Sequence, residues 1–159
     1  MASGNLQRMI ELAERVFDAR NDPDQLNVTP EVIDRLRRIH PATVSEYTDG
    51  NGPVAWLLLI PTTYGLMNRF LEQEITEREL FDLTPLDICY EAVYLCSAQV
   101  LEEYRRQGII KRLALEAIER IRKTHPIQSL FAWPFTPEGE EAAETIARLS
   151  SLTLYKRRE

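Results

Sequence analysis

Four cations, Arg105, Arg106, Lys111 and Arg112, crowd around one glycine, Gly108, in the stretch QVLEEYRRQGIIKRLALEAIERIRK at residues 99–123. Leu113, Ala114, Ala117, Ile118 and Ile121 follow at helical spacing, so Gly108 stands where an amphipathic helix begins. The N-terminal end of a helix carries about half a positive charge, and further cations there are disfavoured unless an anion joins them. Free first-turn amides, a glycine open to close approach, and flanking basic side chains suit a phosphate or diphosphate. A second account is open at this point, in which Glu102 and Glu103 neutralise the arginines on a solvated loop.

The rest of the composition narrows the context. With 159 residues, 44% hydrophobic and 28% charged, the chain reads as a globular protein with a proper core. A net charge of −6 and a pI near 5.1 argue against a broad nucleic-acid surface. The N-terminal MASGNLQRMIELAERVF has no apolar signal core, and VAWLLLI (54–60) is too short to span a bilayer. The expectation is a cytoplasmic protein with no membrane or nucleic-acid partner.

The elements that must position the basic loop follow from periodicity. Leu6, Met9, Ile10, Ala13, Val16 and Phe17 predict a helix over 5–20, broken by NDPDQLN, and Thr29-Pro30 opens a second helix. ATVSEYT and PVAWLLLI are strands joined by the turn DGNG at 49–52. A helical insertion over 63–83, broken near Glu74–Ile75, carries a capping-box pattern at Thr76 and Glu79. A long strand over 85–100, a helix over 108–124, a strand over 127–135, a helix over 136–149 and a final strand at 152–158 complete the order α-α-β-β-(α)-β-α-β-α-β. The unit β(87–100)–α(108–124)–β(127–135) predicts parallel strands in a right-handed crossover.

The stretch VLEEYRRQGIIKRL resembles the coenzyme A signature of the GCN5-related N-acetyltransferases, the GNAT superfamily. Val100 matches the strand end, Glu103-Tyr104-Arg105 the stem, and Gly108 the first glycine. The likeness covers roughly residues 42–158. It implies one GNAT-like domain over 1–159, an α/β fold with a central, mostly antiparallel sheet and a β-α-β core. Residues 1–41 would be N-terminal helices and 61–86 a helical insertion. It implies acetyl-CoA as co-substrate, held by Val100, Leu101, Arg105, Arg106, Gln107, Gly108, Ile109, Ile110 and Lys111. Strand 92–100 would splay from strand 127–135, with a bulge or kink near its end. The activity implied is transfer of an acetyl group to an amine on a small molecule or peptide, with a homodimer left open. The chain departs from the pattern at Ile110, Arg106 and Glu102, where the family often has a small residue, glycine and proline. It also lacks a tyrosine in the helix 136–149, which keeps open a GNAT-fold binding or regulatory module without catalysis. An unrelated α/β domain that binds another phosphoanion is the third reading.

Glu91, near the start of the strand, is the candidate base for deprotonating the acceptor amine, against the plainer account of an exposed strand-end carboxylate. Tyr155 is the substitute acid. Tyr90 and Tyr94 share a strand face and can line an acceptor pocket or pack in the core. Trp56 and Trp133 read as core. Tyr64, Met67, Phe70 and Phe81, mixed with Glu72, Glu74, Glu77, Glu79 and Asp82, describe either an amine-attracting lid or a cover for the sheet. Cys89 and Cys96 have opposite strand parity, so no disulfide is expected, and both read as buried small hydrophobes. With His40 and His125 as the only histidines, no metal site is expected.

Overall fold

A two-residue hairpin and two consecutive β-α-β crossovers build the sheet. The computed structural model describes residues 4–20, 26 and 29–158, without the side chains of 16–20. The break predicted over 21–27, apart from Leu26, and the packing of Val16 and Phe17 lie outside the described residues.

Helices α1 (Gly4–Arg20) and α2 (Pro30–Ile39) precede strands β1 (Val44–Asp49) and β2 (Gly52–Thr62). Asp49 closes the hairpin by accepting the Asn51 N–H at 2.7 Å, and Gly52 takes φ 113°, a value that L side chains rarely adopt. Next come α3 (Tyr64–Leu71), α4 (Glu77–Leu83), β3 (Ala92–Val100), α5 (Ile109–Arg122), β4 (Ser129–Ala132), α6 (Pro137–Ser150) and β5 (Thr153–Lys156). The predicted capping box is present: Thr76 Oγ1 accepts the Glu79 N–H at 3.0 Å, and Glu79 Oε1 accepts the Thr76 N–H at 2.9 Å. Gln73 at φ 63° makes the break between α3 and α4.

The sheet is mixed, in the order β1-β2-β3-β4-β5. Two pairings are antiparallel and two are parallel, so the expectation of a mostly antiparallel sheet is corrected. The cause is the second crossover through α6, which adds β5 parallel to β4. The predicted strand over 85–100 is also too long. Residues 85–91 are irregular around Asp87 at φ 60°, and the ladder starts at Ala92. Cys89 therefore lies exposed in a loop rather than buried, while Cys96 is half-buried in β3. Strand β4 stops at Ala132, two residues short of Pro134, whose missing N–H cannot extend a ladder.

One side of the sheet is closed by an aromatic group. The Phe70 ring of α3 lies 5.0 Å from Tyr94, 5.8 Å from Phe131 and 6.1 Å from Trp133. The Arg157 guanidinium sits 4.5 Å from both the Phe70 and Trp133 rings and donates to the Ile75 carbonyl at 2.9 Å. Tyr94 donates to Glu77 Oε2 at 2.5 Å, and Glu77 Oε1 accepts the Leu26 N–H at 2.7 Å. The insertion thus covers the sheet with Met67, Phe70, Leu80 and Phe81 buried. Tyr90 and Tyr94 are core residues, each 1% exposed, while Trp56 is half-buried.

His40 and His125 meet edge to face, 5.7 Å apart. His40 Nδ1 accepts the Ala42 N–H at 3.0 Å, and His125 Nδ1 accepts the Tyr90 N–H at 3.2 Å. Both rings must be neutral to accept these bonds. Burial holds both below the ordinary value of 6.5, and His125 and Arg120 depress His40 further. Their contribution to stability is therefore complete above about pH 6.5 and is lost as pH falls through the depressed folded-state values. Urea denaturation at pH 7, 6 and 5 should show a falling midpoint, and His125→Gln should flatten that dependence.

Candidate functional site

Four residue pairs, Ala92↔Ser129 to Leu95↔Ala132, join β3 to β4, and the pairing ends there. Strand β3 runs on from Cys96 to Val100 with β2 on one side and, among the described residues, no strand on the other. The separation coincides with a bulge: Leu58 faces Ser97 and Leu59 faces Leu95, so Cys96 is the extra residue. A bulge bends its strand and adds twist, which turns the end of β3 away from β4. Ser97 and Ala98 are consequently exposed although their strand lies inside the sheet.

Helices α5 and α6 start beyond the ends of β3 and β4, pack against each other, and leave a cavity of about 500 Å³ between their first turns. Arg105, Arg106 and Lys111 form one wall, with Val100, Gly108, Ile109 and Ile110 beneath them. The opposite wall belongs to α6 and presents Glu138, Glu141, Ala142, Thr145 and Ile146. Openings at the carboxyl ends of strands, bounded by helix N-termini, are where α/β sheets take ligands.

The loop backbone is set for close approach. Gly108 caps α5 in the left-handed region at φ 74°, ψ 16°, and Arg106 holds φ 65°. Arg106 thus tolerates a conformation that glycine adopts without strain. The first intrahelical bond runs from the Arg112 N–H to the Gly108 carbonyl at 3.0 Å, so the amides of Ile109, Ile110 and Lys111 precede it. The Lys111 ammonium lies over Gly108, 3.8 Å from where a Cβ would stand.

Of the two carboxylates in the solvated-loop account, Glu103 pairs outside the loop. Glu103 turns away and forms a two-pronged pair with Arg8 of α1, at 2.6 and 2.7 Å. That pair holds the Glu103 carboxyl down at about 2. Among the described residues, Arg105, Arg106 and Lys111 form no ion pair. Tyr104 donates its hydroxyl to Asp49, which lowers the aspartate and raises the tyrosine. Arg112, the fourth cation of the cluster, faces the Tyr47 ring at 5.7 Å and is not part of the cavity wall.

Of the residues singled out in the sequence, Val100, Arg105, Arg106, Gly108, Ile109, Ile110 and Lys111 come together at the cavity. Ile110 is half-buried, packed against the core and part of the wall without closing the opening. Leu101 and Gln107 are outside the lining. Leu101 is buried against Met9, Val54, Ala55 and Ile109, and the Gln107 amide donates to the Glu103 carbonyl at 3.2 Å. Glu91 is at the other end of β3, five residues before the bulge or about 16 Å of strand. Its carboxylate accepts the Tyr64 N–H at 3.3 Å. Tyr155 pairs with Phe131, which pairs with Tyr94, so it stands two strands away from β3 and outside the cavity lining.

Sequence reasoning missed the α6 wall. Glu138, Glu141, Ala142 and Thr145 follow one helical face at i, i+3, i+4 and i+7, so the face was visible but not what it looks onto. Among the described residues there is no cluster of three or more metal-ligating side chains, and no helix is long and apolar enough to cross a membrane. No protein-family model, curated protein or solved structure matches this chain.

Two measurements check this geometry. Gly108→Val puts a β-branched residue in the left-handed region and should cost about 1–2 kcal/mol by chemical denaturation, with Gly108→Asn costing less. Glu103 ionises below its ordinary range when folded, so its support of α1 should persist down to about pH 4.5 and be lost toward pH 2. Protection factors across α1, taken relative to the intrinsic exchange rate at each pH, should fall in that window and not above it.

Proposed function

We propose that the chain binds an acyl-coenzyme A in the cavity between α5 and α6 and transfers the acyl group to an amine, in the manner of the GNAT superfamily. The observation that carries this reading is the parting of β3 from β4 beside a helix start whose three cations are unpaired among the described residues. A diphosphate matches the donors available: the amides of the first α5 turn, the Arg105 and Arg106 guanidinium groups, and the Lys111 ammonium. The extended arm of the same ligand would lie along β3 from Cys96 to Val100, whose outer edge has no strand partner among the described residues. The bulge at Cys96 and the resemblance of VLEEYRRQGIIKRL to the family signature support the same assignment.

Transfer requires the amine nitrogen to attack the thioester carbonyl carbon and the carbon–sulfur bond to break. A base takes the amine's proton, and the departing sulfur takes one up. Glu91 is too far along β3 to serve at the bulge. Glu138 and Glu141 are the carboxylates that face the cavity, and both are exposed.

A binding module without chemistry is the second reading, favoured by one observation. Among the described residues Tyr104 supplies the only phenol on the cavity wall, its hydroxyl is committed to Asp49, and α6 contains no tyrosine.

Thermal-shift titration with CoA and acetyl-CoA tests the shared premise. Ligand at a hundred times its dissociation constant should add about 2.7 kcal/mol of stability. Gly108→Trp and Arg105→Glu should each reduce the shift. Absence of any shift at millimolar ligand would defeat both readings. Release of free thiol with a panel of amines would establish transfer, and binding with no release across the panel would leave the binding module.

A further inference from the structure

The Arg8–Glu103 pair connects residues 95 positions apart, α1 to the turn that enters the basic loop. Both Glu103 oxygens are engaged, one by each terminal nitrogen of the guanidinium. The two side chains are 48% and 50% exposed, so the pair adds little to overall stability. Its consequence lies in where a charge is held. Glu103 is two residues from Arg105 and three from Arg106, and the Gln107 bond to the Glu103 carbonyl shows that the loop folds back over this point. A carboxylate released here has the Arg105 and Arg106 guanidinium groups two and three residues away along the chain.

The placement of Arg8 is built in by neighbouring contacts. Met9 is fully buried against Val54, Ala55, Leu101 and Ile109. The Gln99 amide donates to the Met9 carbonyl at 2.7 Å, and the Asn5 amide donates to Asp49 Oδ1 at 2.8 Å. Asp49 in turn accepts the Tyr104 hydroxyl, so α1 and the loop are joined at two acidic groups side by side.

We propose that Arg8 is a positioning residue for the anion site: by occupying Glu103 it keeps that carboxylate off Arg105 and Arg106 and leaves their positive charge to the cavity. The diphosphate in this statement rests on the function proposed above, whereas the charge held at the loop does not. A purely mechanical tether would make Arg8 and Glu103 equivalent. Charge sequestration makes them opposite.

The test compares Arg8→Gln, Glu103→Gln and the double variant by two readouts. The first is the pH dependence of iodoacetamide alkylation at Gln107→Cys, followed by peptide mass spectrometry so that Cys89 and Cys96 do not interfere. The second is CoA affinity in chains that keep Gln107. A unit charge uncovered about 10 Å away in water is worth about 0.3 in a thiol pKa and about a factor of two in an anion's affinity. Arg8→Gln should raise the thiol pKa and weaken CoA by at least those amounts. Glu103→Gln, which uncovers the Arg8 charge, should shift both readouts the opposite way, and the double variant, neutral at both positions, should match wild type. Arg8→Lys, which keeps the charge, should fall between Arg8→Gln and wild type. Equal losses in Arg8→Gln, Glu103→Gln and the double variant would overturn the proposal in favour of a tether, as would an unmoved thiol in Arg8→Gln. The expected thiol pattern with no CoA binding by any chain would sustain the charge assignment and remove the coenzyme reading.

Discussion

The parallel ladder between β3 and β4 lasts four residue pairs, and what can be said of this protein's chemistry depends on its stopping there. Up to Leu95 and Ala132 the two strands satisfy each other's backbone groups. Beyond that point the bulge at Cys96 bends one strand and Pro134 denies the other a donor. The chain leaves β4 for α6, and the last five residues of β3 keep one unpaired edge. An unpaired edge inside a sheet is costly unless water or a ligand reaches it, and the cavity between α5 and α6 meets this edge at Val100. Had the ladder continued through Val100, the same basic loop would lie on a closed surface.

The electrostatics of the opening follow from how the loop is anchored. Three cations at a helix start are unfavourable by themselves, and two carboxylates close to them in the fold are engaged elsewhere. Glu103 is taken by Arg8, and Asp49 by Tyr104, Asn5 and its own hairpin turn. The N-terminal helix is therefore part of the site's construction. The facing wall is acidic at Glu138 and Glu141, so the cavity separates its charges side to side, basic on the loop and first turn of α5 and acidic on α6. Such an arrangement orients a ligand that carries an anion at one end and a neutral or cationic group at the other.

The two halves of the proposed function have different support. Anion binding rests on positions that come together around one cavity. Catalysis rests on the family resemblance, and the candidate base named from sequence, Glu91, stands at the wrong end of β3. What put Glu91 forward was its strand, not its distance along it. A residue at the start of an extended segment moves about 3.3 Å further from the strand's far end with each position, so five positions separate it from the bulge by more than any side chain can span.

Much was determined by sequence alone because the signals are local. The order of helices and strands, the hairpin at 49–52, the capping box at Thr76, the glycine start of α5 and the charge cluster around it all depend on residues a few positions apart. Periodicity and turn chemistry report on that range directly. Tertiary structure decided the rest. It set where the long segment 85–100 begins to pair, turned Arg112 onto Tyr47, brought α6 opposite the basic loop, and delivered Arg8 to Glu103 across 95 positions. Each of these depends on which surfaces meet after the chain has packed. An exposed arginine on α1 and an exposed glutamate before α5 look alike in sequence whether or not they face each other, and only the docking of Met9 beneath the loop makes them a pair.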